Sequence, residues 1–93
     1  MTTIWKFTFG QPDMAFPVPI AAETLAVGLD PHGEVCLWMA VNPAAATETR
    51  SFQVIGTGHP IDLSTAEVRS RYIGSVVQDP YVWHVLEHEK ENP

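Results

Sequence analysis

The stretch Gly56-Thr57-Gly58-His59-Pro60 is the most distinctive group of residues that could do chemistry. Glycines let a backbone approach a ligand closely, and the free amide groups at a helix start can bind an anion. Arg50, Arg69 or Arg71 could complete an anion pocket beside His59. The spacing is not that of a Walker loop, and a lone G-x-G is a weak signal. The sequence therefore favours a tight turn at the end of a strand, with a phosphate-binding site as the alternative.

The other residues that could act in catalysis or bind a metal do not form a recognisable set. His84 and His88 are four residues apart, which places them about 13 Å apart along a strand, too far to share one ion. Cys36 lies in an apolar run without a neighbouring cation that would lower its thiol pKa. The serines lie outside any nucleophile-elbow pattern. We predict no catalytic residue, no metal site and no cofactor, and hence a protein that is not an enzyme.

Large aromatic residues offer a second kind of contact. Three tryptophans, four phenylalanines and two tyrosines are many rings for a chain of 93 residues. Aromatic side chains dominate both cores and interface hot spots, and core packing is the favoured role here. Trp83 and His84 are adjacent and should point to opposite faces of a strand. The candidate ligand or partner contacts are therefore Gly56, Gly58, His59, Arg50, Trp83 and His84.

Short apolar runs separated by turn residues predict the elements that position these groups. Pro17 and Pro19 cannot donate ladder hydrogen bonds, so their strand should be an edge strand or an irregular crossing. Asp30-Pro31-His32-Gly33 is typical of a type I turn and predicts a hairpin, and Asp79-Pro80 predicts another. The predicted strands are residues 4–9, 14–19, 24–29, 34–41, 49–55, 72–78 and 82–88.

Several of these strands carry a prediction about their faces. Residues 34–41 are apolar on both faces, which is typical of a central strand. Leu25, Val27 and Leu29 should share one face, and Arg50 should lie at the solvent edge of its strand. Ser64-Thr65-Ala66-Glu67 resembles a capping box and predicts one short helix at residues 64–70.

These elements indicate a mainly β fold, a small antiparallel sandwich or partly open barrel of five to seven strands with one short helix. Residues 1–88 are predicted to form a single domain, and residues 89–93 a frayed acidic tail. A chain of 93 residues is long enough for one domain with its own core.

The net charge of −6 excludes some partners. Binding to phosphates needs clustered Lys and Arg, so direct nucleic-acid binding is not expected. The same charge suits a basic protein surface, and it is also an ordinary solubility charge. The single cysteine, the absence of a signal-peptide pattern and the lack of a long apolar run predict a cytoplasmic protein without membrane contact.

In addition, the sequence resembles a family of small uncharacterised bacteriophage and prophage proteins. The resemblance covers most of the chain in order and rests on Ile4-Trp5-Lys6-Phe7, Cys36 to Pro43, Arg50 to Ile61, Tyr72-Ile73-Gly74-Ser75 and Val82-Trp83-His84-Val85. It implies a phage origin, a bacterial host cell and a shared fold, and it carries over no catalytic residue.

By analogy with other small acidic phage proteins, the resemblance suggests an inhibitor of a bacterial defence system, for example an anti-CRISPR protein. The partner would be a host protein or protein–RNA complex with a basic surface. Alternatives are a binder or sponge of a phosphate-bearing small ligand, and a structural or assembly protein of the phage particle. A homodimer is also possible if one sheet face is incompletely covered.

Overall fold

The computed structural model describes residues 1–61 and 69–89, and for Arg69, Ser70 and Glu89 it describes the backbone alone. Seven antiparallel strands form two sheets, which confirms the predicted mainly β sandwich. No helix lies within the described residues. The strands are β1 (Thr3–Thr8), β2 (Asp13–Pro19), β3 (Glu23–Leu29), β4 (Val35–Val41), β5 (Thr47–Gly56), β6 (Arg69–Gln78) and β7 (Tyr81–Glu89).

The first sheet has three strands in the order β1-β4-β3. The predicted central strand is confirmed, because β4 pairs with β1 on one side and with β3 on the other. Leu37, Met39 and Val41 alternate along β4 and are fully buried against the second sheet. This period of two fixes which face of the sheet belongs to the core.

The second sheet has four strands in the order β2-β5-β7-β6. The prolines of β2 are accommodated because β2 pairs with β5 alone and lies at the edge, as predicted. The predicted final hairpin is also confirmed, since β6 and β7 pair around Asp79-Pro80.

The core lies between the two sheets and is rich in aromatic residues near β1 and β2. The ring of Phe7 lies 5.4 Å from that of Phe16, and the ring of Phe9 lies 6.1 Å from that of Phe52, between centroids. At the other side of the sandwich β3 packs on β6, where Val27 lies close to Gly74. The fully packed members of the core are Phe7, Val18, Leu37, Met39, Val41, Phe52 and Val85.

The hairpin between β3 and β4 turns at residues 30–33, as predicted. The amide of Gly33 donates to the Asp30 carbonyl at 2.9 Å, and Gly33 follows with a φ of 78°. The Asp30 carboxylate accepts hydrogen bonds from the amides of His32 and Glu34 at 2.9 and 3.0 Å. The turn therefore satisfies its own free amides with a side chain, which explains why an aspartate suits this position.

Two expectations about the strands need correction. β3 contains a bulge between Thr24 and Ala26, so the alternation that should align Leu25 with Val27 and Leu29 is interrupted, and Leu25 is 49% exposed. The predicted helix at residues 64–70 lies mostly outside the described residues, but Arg69 and Ser70 are the first residues of β6 instead. In the predicted tail, Glu89 is still part of β7, and residues 90–93 lie outside the description.

Candidate functional site

The glycine-rich stretch after β5 forms the predicted tight turn. The amide of His59 donates to the carbonyl of Gly56 at 3.1 Å, and Gly58 has a φ of 91° at the third position, as a type II turn requires. The His59 ring folds back, so that its Nδ1 accepts a hydrogen bond from the Gly56 amide at 3.3 Å. A Cβ on Gly56 would lie 3.1 Å from the ring of His59. Both glycines are therefore needed for this turn geometry.

His84 connects this turn to the outer face of the four-stranded sheet. Its Nε2 lies 2.7 Å from the Thr57 hydroxyl, and its Nδ1 lies 2.9 Å from the Tyr72 hydroxyl. Both ring nitrogens thus have a partner, one in the turn and one on β6. A cavity of about 260 Å³ lies between the turn and the sheet, with the buried Leu86 among its lining residues. The structure brings together four predicted contacts here: Gly56, Gly58, His59 and His84.

The chain of hydroxyl, imidazole and phenol has the order of a catalytic triad but not its chemistry. In a Ser-His-Asp triad the third group is a carboxylate that orients the ring and stabilises the imidazolium. Tyr72 orients the ring of His84 without supplying a carboxylate's charge. The arrangement therefore serves to fix the ring and to anchor the turn. Thr57 lies in the glycine-rich stretch singled out from the sequence but was not among the candidate contacts. Tyr72 was not among them either, and its one signal was the hairpin register that sets it diagonally across from His84.

Arg50 lies on the inner face of β5, so the prediction that it sits at the solvent edge is wrong. Its side chain is 14% exposed and binds the Glu87 carboxylate through two bonds, Nε to Oε2 at 2.6 Å and Nη2 to Oε1 at 2.8 Å. Its Nη1 also donates to the carbonyl of Ala22 at 2.7 Å. The hydrogen bond to Glu87 raises the pKa of the Arg50 guanidinium. A guanidinium is tolerated at this depth because these oxygens satisfy it.

Arg71 joins the same carboxylate, with Nη2 3.6 Å from Glu87 Oε1. Arg71 and Glu87 are paired across β6 and β7 on the inner face, whereas His59 contacts the outer face of this sheet. Arg50 and Arg71 therefore do not complete an anion pocket at the Gly56 turn. The side chain of Arg69 lies outside the description.

Trp83 points to the opposite side of β7 from His84, as predicted, and lines a cavity at one end of the sandwich. Its indole Nε1 donates to Gln78 Oε1 at 2.9 Å, and Gln78 Nε2 donates to the carbonyl of Gly33 at 2.8 Å. The Tyr81 ring lies 5.5 Å from the Trp83 ring. The cavity has a volume of about 330 Å³, and its apolar wall is formed by Phe9, Val35, Val54 and Trp83.

Lys6 and Asp30 form a third polar contact, with Lys6 Nζ 3.0 Å from Asp30 Oδ2. The Asp30 carboxylate is buried and accepts from the Glu34 amide, from Lys6 and from the His32 amide. These bonds lower the pKa of Asp30 to about 2, and the bond to Asp30 raises the pKa of Lys6. Burial raises the pKa of the nearby Cys36 thiol, which disfavours the thiolate form.

The described cations and carboxylates differ in how far they are engaged in ion pairs. Lys6, Arg50 and Arg71 each lie against Asp30 or Glu87, two carboxylates with little exposure. The other described carboxylates are all exposed, and no ion pair joins them to a described cation: Asp13, Glu23, Glu34, Glu48 and Asp79. Five carboxylates are therefore exposed without such a partner, while each described cation lies against Asp30 or Glu87, although the side chains of Lys6 and Arg71 are themselves 39% and 60% exposed.

Within the described part of the chain, no three His, Cys, Asp or Glu side chains are grouped so that they could hold a metal ion. Those residues also include no helix that is both long and apolar enough to span a membrane.

A family model matches the whole chain. The model described as "Domain of unknown function (DUF7352)" matches residues 1–93, so the chain belongs to this family. This confirms the resemblance to an uncharacterised family. Neither a curated protein nor a solved structure matches the chain.

Proposed function

We propose that this member of the DUF7352 family is a phage-encoded accessory protein that binds a basic protein surface and thereby inhibits a bacterial defence system, in the manner of an anti-CRISPR protein. The observation that carries the proposal is the charge distribution. Five exposed carboxylates lack a described cationic partner, while the described cations are held by Asp30 and Glu87.

The physical argument is electrostatic complementarity. A displayed negative surface attracts a positive one, raises the association rate and disfavours partners of the same sign. Proteins that hold guide or target nucleic acid carry such positive surfaces, because phosphate binding depends on Lys and Arg. An acidic protein that covers those residues competes directly with the nucleic acid.

Phage origin rests on the sequence resemblance, in which the Gly-Thr-Gly-His turn and the Trp-His-Val stretch of β7 are the most specific parts. The alternative of a phosphate-binding sponge has less support, because Arg50 and Arg71 are directed to Glu87 rather than to His59. No described contact favours the alternative of a particle component.

The test is a competition experiment with purified CRISPR effector complexes from bacterial hosts that carry them. We expect the protein to bind one such complex and to displace labelled target DNA from it. Binding should weaken steeply as salt is raised, because salt screens exposed charges over about 10 Å at 0.1 M. Amide substitution of the exposed carboxylates Asp13, Glu23, Glu34, Glu48 and Asp79 should reduce binding more than tenfold.

The matched control is Arg71→Met, which changes the net charge without removing an exposed carboxylate. It should bind at least as well as the unmodified protein. A result in which no effector complex binds, or in which the amide variant binds equally well while both proteins are folded, would overturn the proposal.

A further inference from the structure

The cavity beside Trp83 lies where three turns meet at one end of the sandwich. We call it the end cavity and define it by Phe9, Val35, Val54, Trp83, Glu34 and Gln78. Its volume of about 330 Å³ is at the small end of the range for ligand pockets. Such a space suits one side chain or one small group.

The rim of the end cavity carries negative charge. The exposed Glu34 is among its lining residues and supplies this charge. No lysine or arginine is among its described lining residues. An apolar wall under an acidic rim therefore has complementarity to a group that combines an apolar stem with a positive end.

Starting from the proposed function as a binder of basic protein surfaces, we propose that the end cavity holds an arginine side chain from a basic segment of the protein partner. The methylene stem would pack against Val35, Val54 and Phe9, since long cationic side chains bury their stems along apolar surface. The guanidinium would lie against the indole ring of Trp83 and donate to the Glu34 carboxylate.

Arginine fits this site better than lysine for two physical reasons. A guanidinium is planar, stacks on aromatic rings and is more weakly hydrated than an ammonium, so it loses less on entering a partly apolar cavity. It also presents parallel N–H donors that match a carboxylate. An uncharged apolar group would pack against the apolar wall but would form no hydrogen bond with the Glu34 carboxylate.

The end cavity is preorganised by hydrogen bonds across the two sheets. Gln78 accepts from the Trp83 indole and donates to the Gly33 carbonyl, so the ring is held next to the turn that carries Glu34. A site whose walls are fixed before binding has less conformational entropy to lose.

The test uses two short capped peptides, one with a single arginine between two leucines and one with citrulline in its place. Citrulline has nearly the same shape but carries no charge. In a ¹⁵N-labelled sample the three tryptophans give three indole N–H signals, and Trp83→Phe identifies the one from Trp83. We expect the arginine peptide to shift the Trp83 signal in a saturable way, without shifting those of Trp5 and Trp38.

Glu34→Gln should weaken the arginine peptide about tenfold, which is the effect of losing one charge-assisted hydrogen bond. The matched control is Glu48→Gln, which removes the same charge at a carboxylate that lines a different cavity and should leave peptide binding unchanged. Equal binding of the citrulline peptide, equal loss in both variants, or no shift of the Trp83 signal would overturn the inference.

This experiment does not depend on the effector-complex competition. If the protein displaces DNA from an effector complex but does not bind the arginine peptide, the proposed function stands and the end cavity is not its contact. If the peptide binds as expected and no effector complex is bound, the site stands and the proposed function fails.

Discussion

At the scale of single residues, the ion pair between Arg50 and Glu87 joins β5 to β7. Both side chains are mostly buried, at 14% and 12% exposure, and the guanidinium also binds the backbone of the β2–β3 connection through Ala22. Replacing one partner leaves a charge in a poorly solvated place, whereas replacing both with apolar groups does not. The ion pair thus couples the stability of β5 to that of β7.

Arg50→Met should lower the free energy of unfolding by about 3 kcal/mol, because Glu87 is left without its main partner. The double variant Arg50→Met/Glu87→Leu should recover most of this loss. Urea unfolding followed by tryptophan fluorescence measures both.

Arg71→Met is the control, and it should change the free energy of unfolding by less than about 0.5 kcal/mol, since Arg71 is exposed and 3.6 Å from Glu87. If Arg50→Met had no larger effect than Arg71→Met, the buried pair would not be stabilising.

Asp30 should make stability depend on acid pH. Its pKa is lowered from 3.8 to about 2 in the folded protein by the bonds from Glu34, Lys6 and His32. A carboxylate with a depressed folded pKa stabilises the protein above its unfolded pKa, and this contribution is lost as the pH falls toward the folded pKa. The urea concentration at the unfolding midpoint should therefore decrease as the pH is lowered from about 4 to about 2.

In Asp30→Asn this part of the acid transition should be absent, so the difference from the unmodified protein should shrink as the pH falls through the same window. Asp79→Asn, at an exposed carboxylate, is the control and should lose stability over this pH window as the unmodified protein does. Parallel pH profiles for the unmodified protein and Asp30→Asn would refute the assignment.

At the scale of elements, three turns place a residue in the left-handed region, two of them with glycine, at Gly33 and Gly58, and one with alanine, at Ala21. Gly58 has a φ of 91°, and Ala21, in the turn between β2 and β3, has a φ of 67°. The left-handed conformation costs a residue with a Cβ about 1–2 kcal/mol, and glycine avoids this cost. The Gly56 turn therefore follows the sequence rule, and the Ala21 turn breaks it.

Gly58→Ala should destabilise the protein by about 1 kcal/mol through the backbone alone, because a Cβ there meets nothing within 4 Å. Ala21→Gly should stabilise it by about 0.5 kcal/mol, which is the strain relieved less the entropy that glycine loses on folding. Gly10→Ala is the control, since Gly10 also has open space around it but no positive φ. In thermal unfolding, the melting temperature should therefore be highest for Ala21→Gly and lowest for Gly58→Ala. Equal effects of Gly10→Ala and Gly58→Ala would contradict this prediction.

Local pattern predicts the strands well because period-two alternation and turn chemistry act within a few residues. The edge position of β2, the central position of β4 and both hairpins follow from such signals. The bulges at Leu25 and Ile73 do not, because each depends on the register of a neighbouring strand. The partner of Arg50 lies 37 residues away, so nothing near Arg50 in the sequence indicates that it is buried.

The candidate sites show the same distinction between features that local residues predict and features that depend on distant strands. The Gly56 turn with His59, and the opposite directions of Trp83 and His84, were predicted from local residues. The separation of His59 from Arg50 and the placement of Trp83 and Glu34 around one cavity come from the packing of two sheets, which sequence spacing does not encode.

At the scale of the whole molecule, the two sheets are connected repeatedly. The chain passes from β1 in the first sheet to β2 in the second, back to β3, and again to β5 after β4. Only the β3–β4 and β6–β7 pairings are local hairpins, and the others join distant segments. Such a topology ties the exposed carboxylates, the cavity beside His59 and the end cavity to one cooperative structure, so a substitution in the core should affect all of them together.

The position of β7 has a consequence for how the protein is made in a cell. β7 is the last of the seven described strands along the chain, yet it lies between β5 and β6 in the middle of its sheet. While the ribosome is still adding residues 81–89, β5 and β6 have no strand to join them, and Phe52 and Val54 lack a neighbour on that side. Nascent chains therefore hold an incomplete apolar surface until β7 has emerged, and the end cavity, which Trp83 of β7 lines, forms only after synthesis has passed this strand.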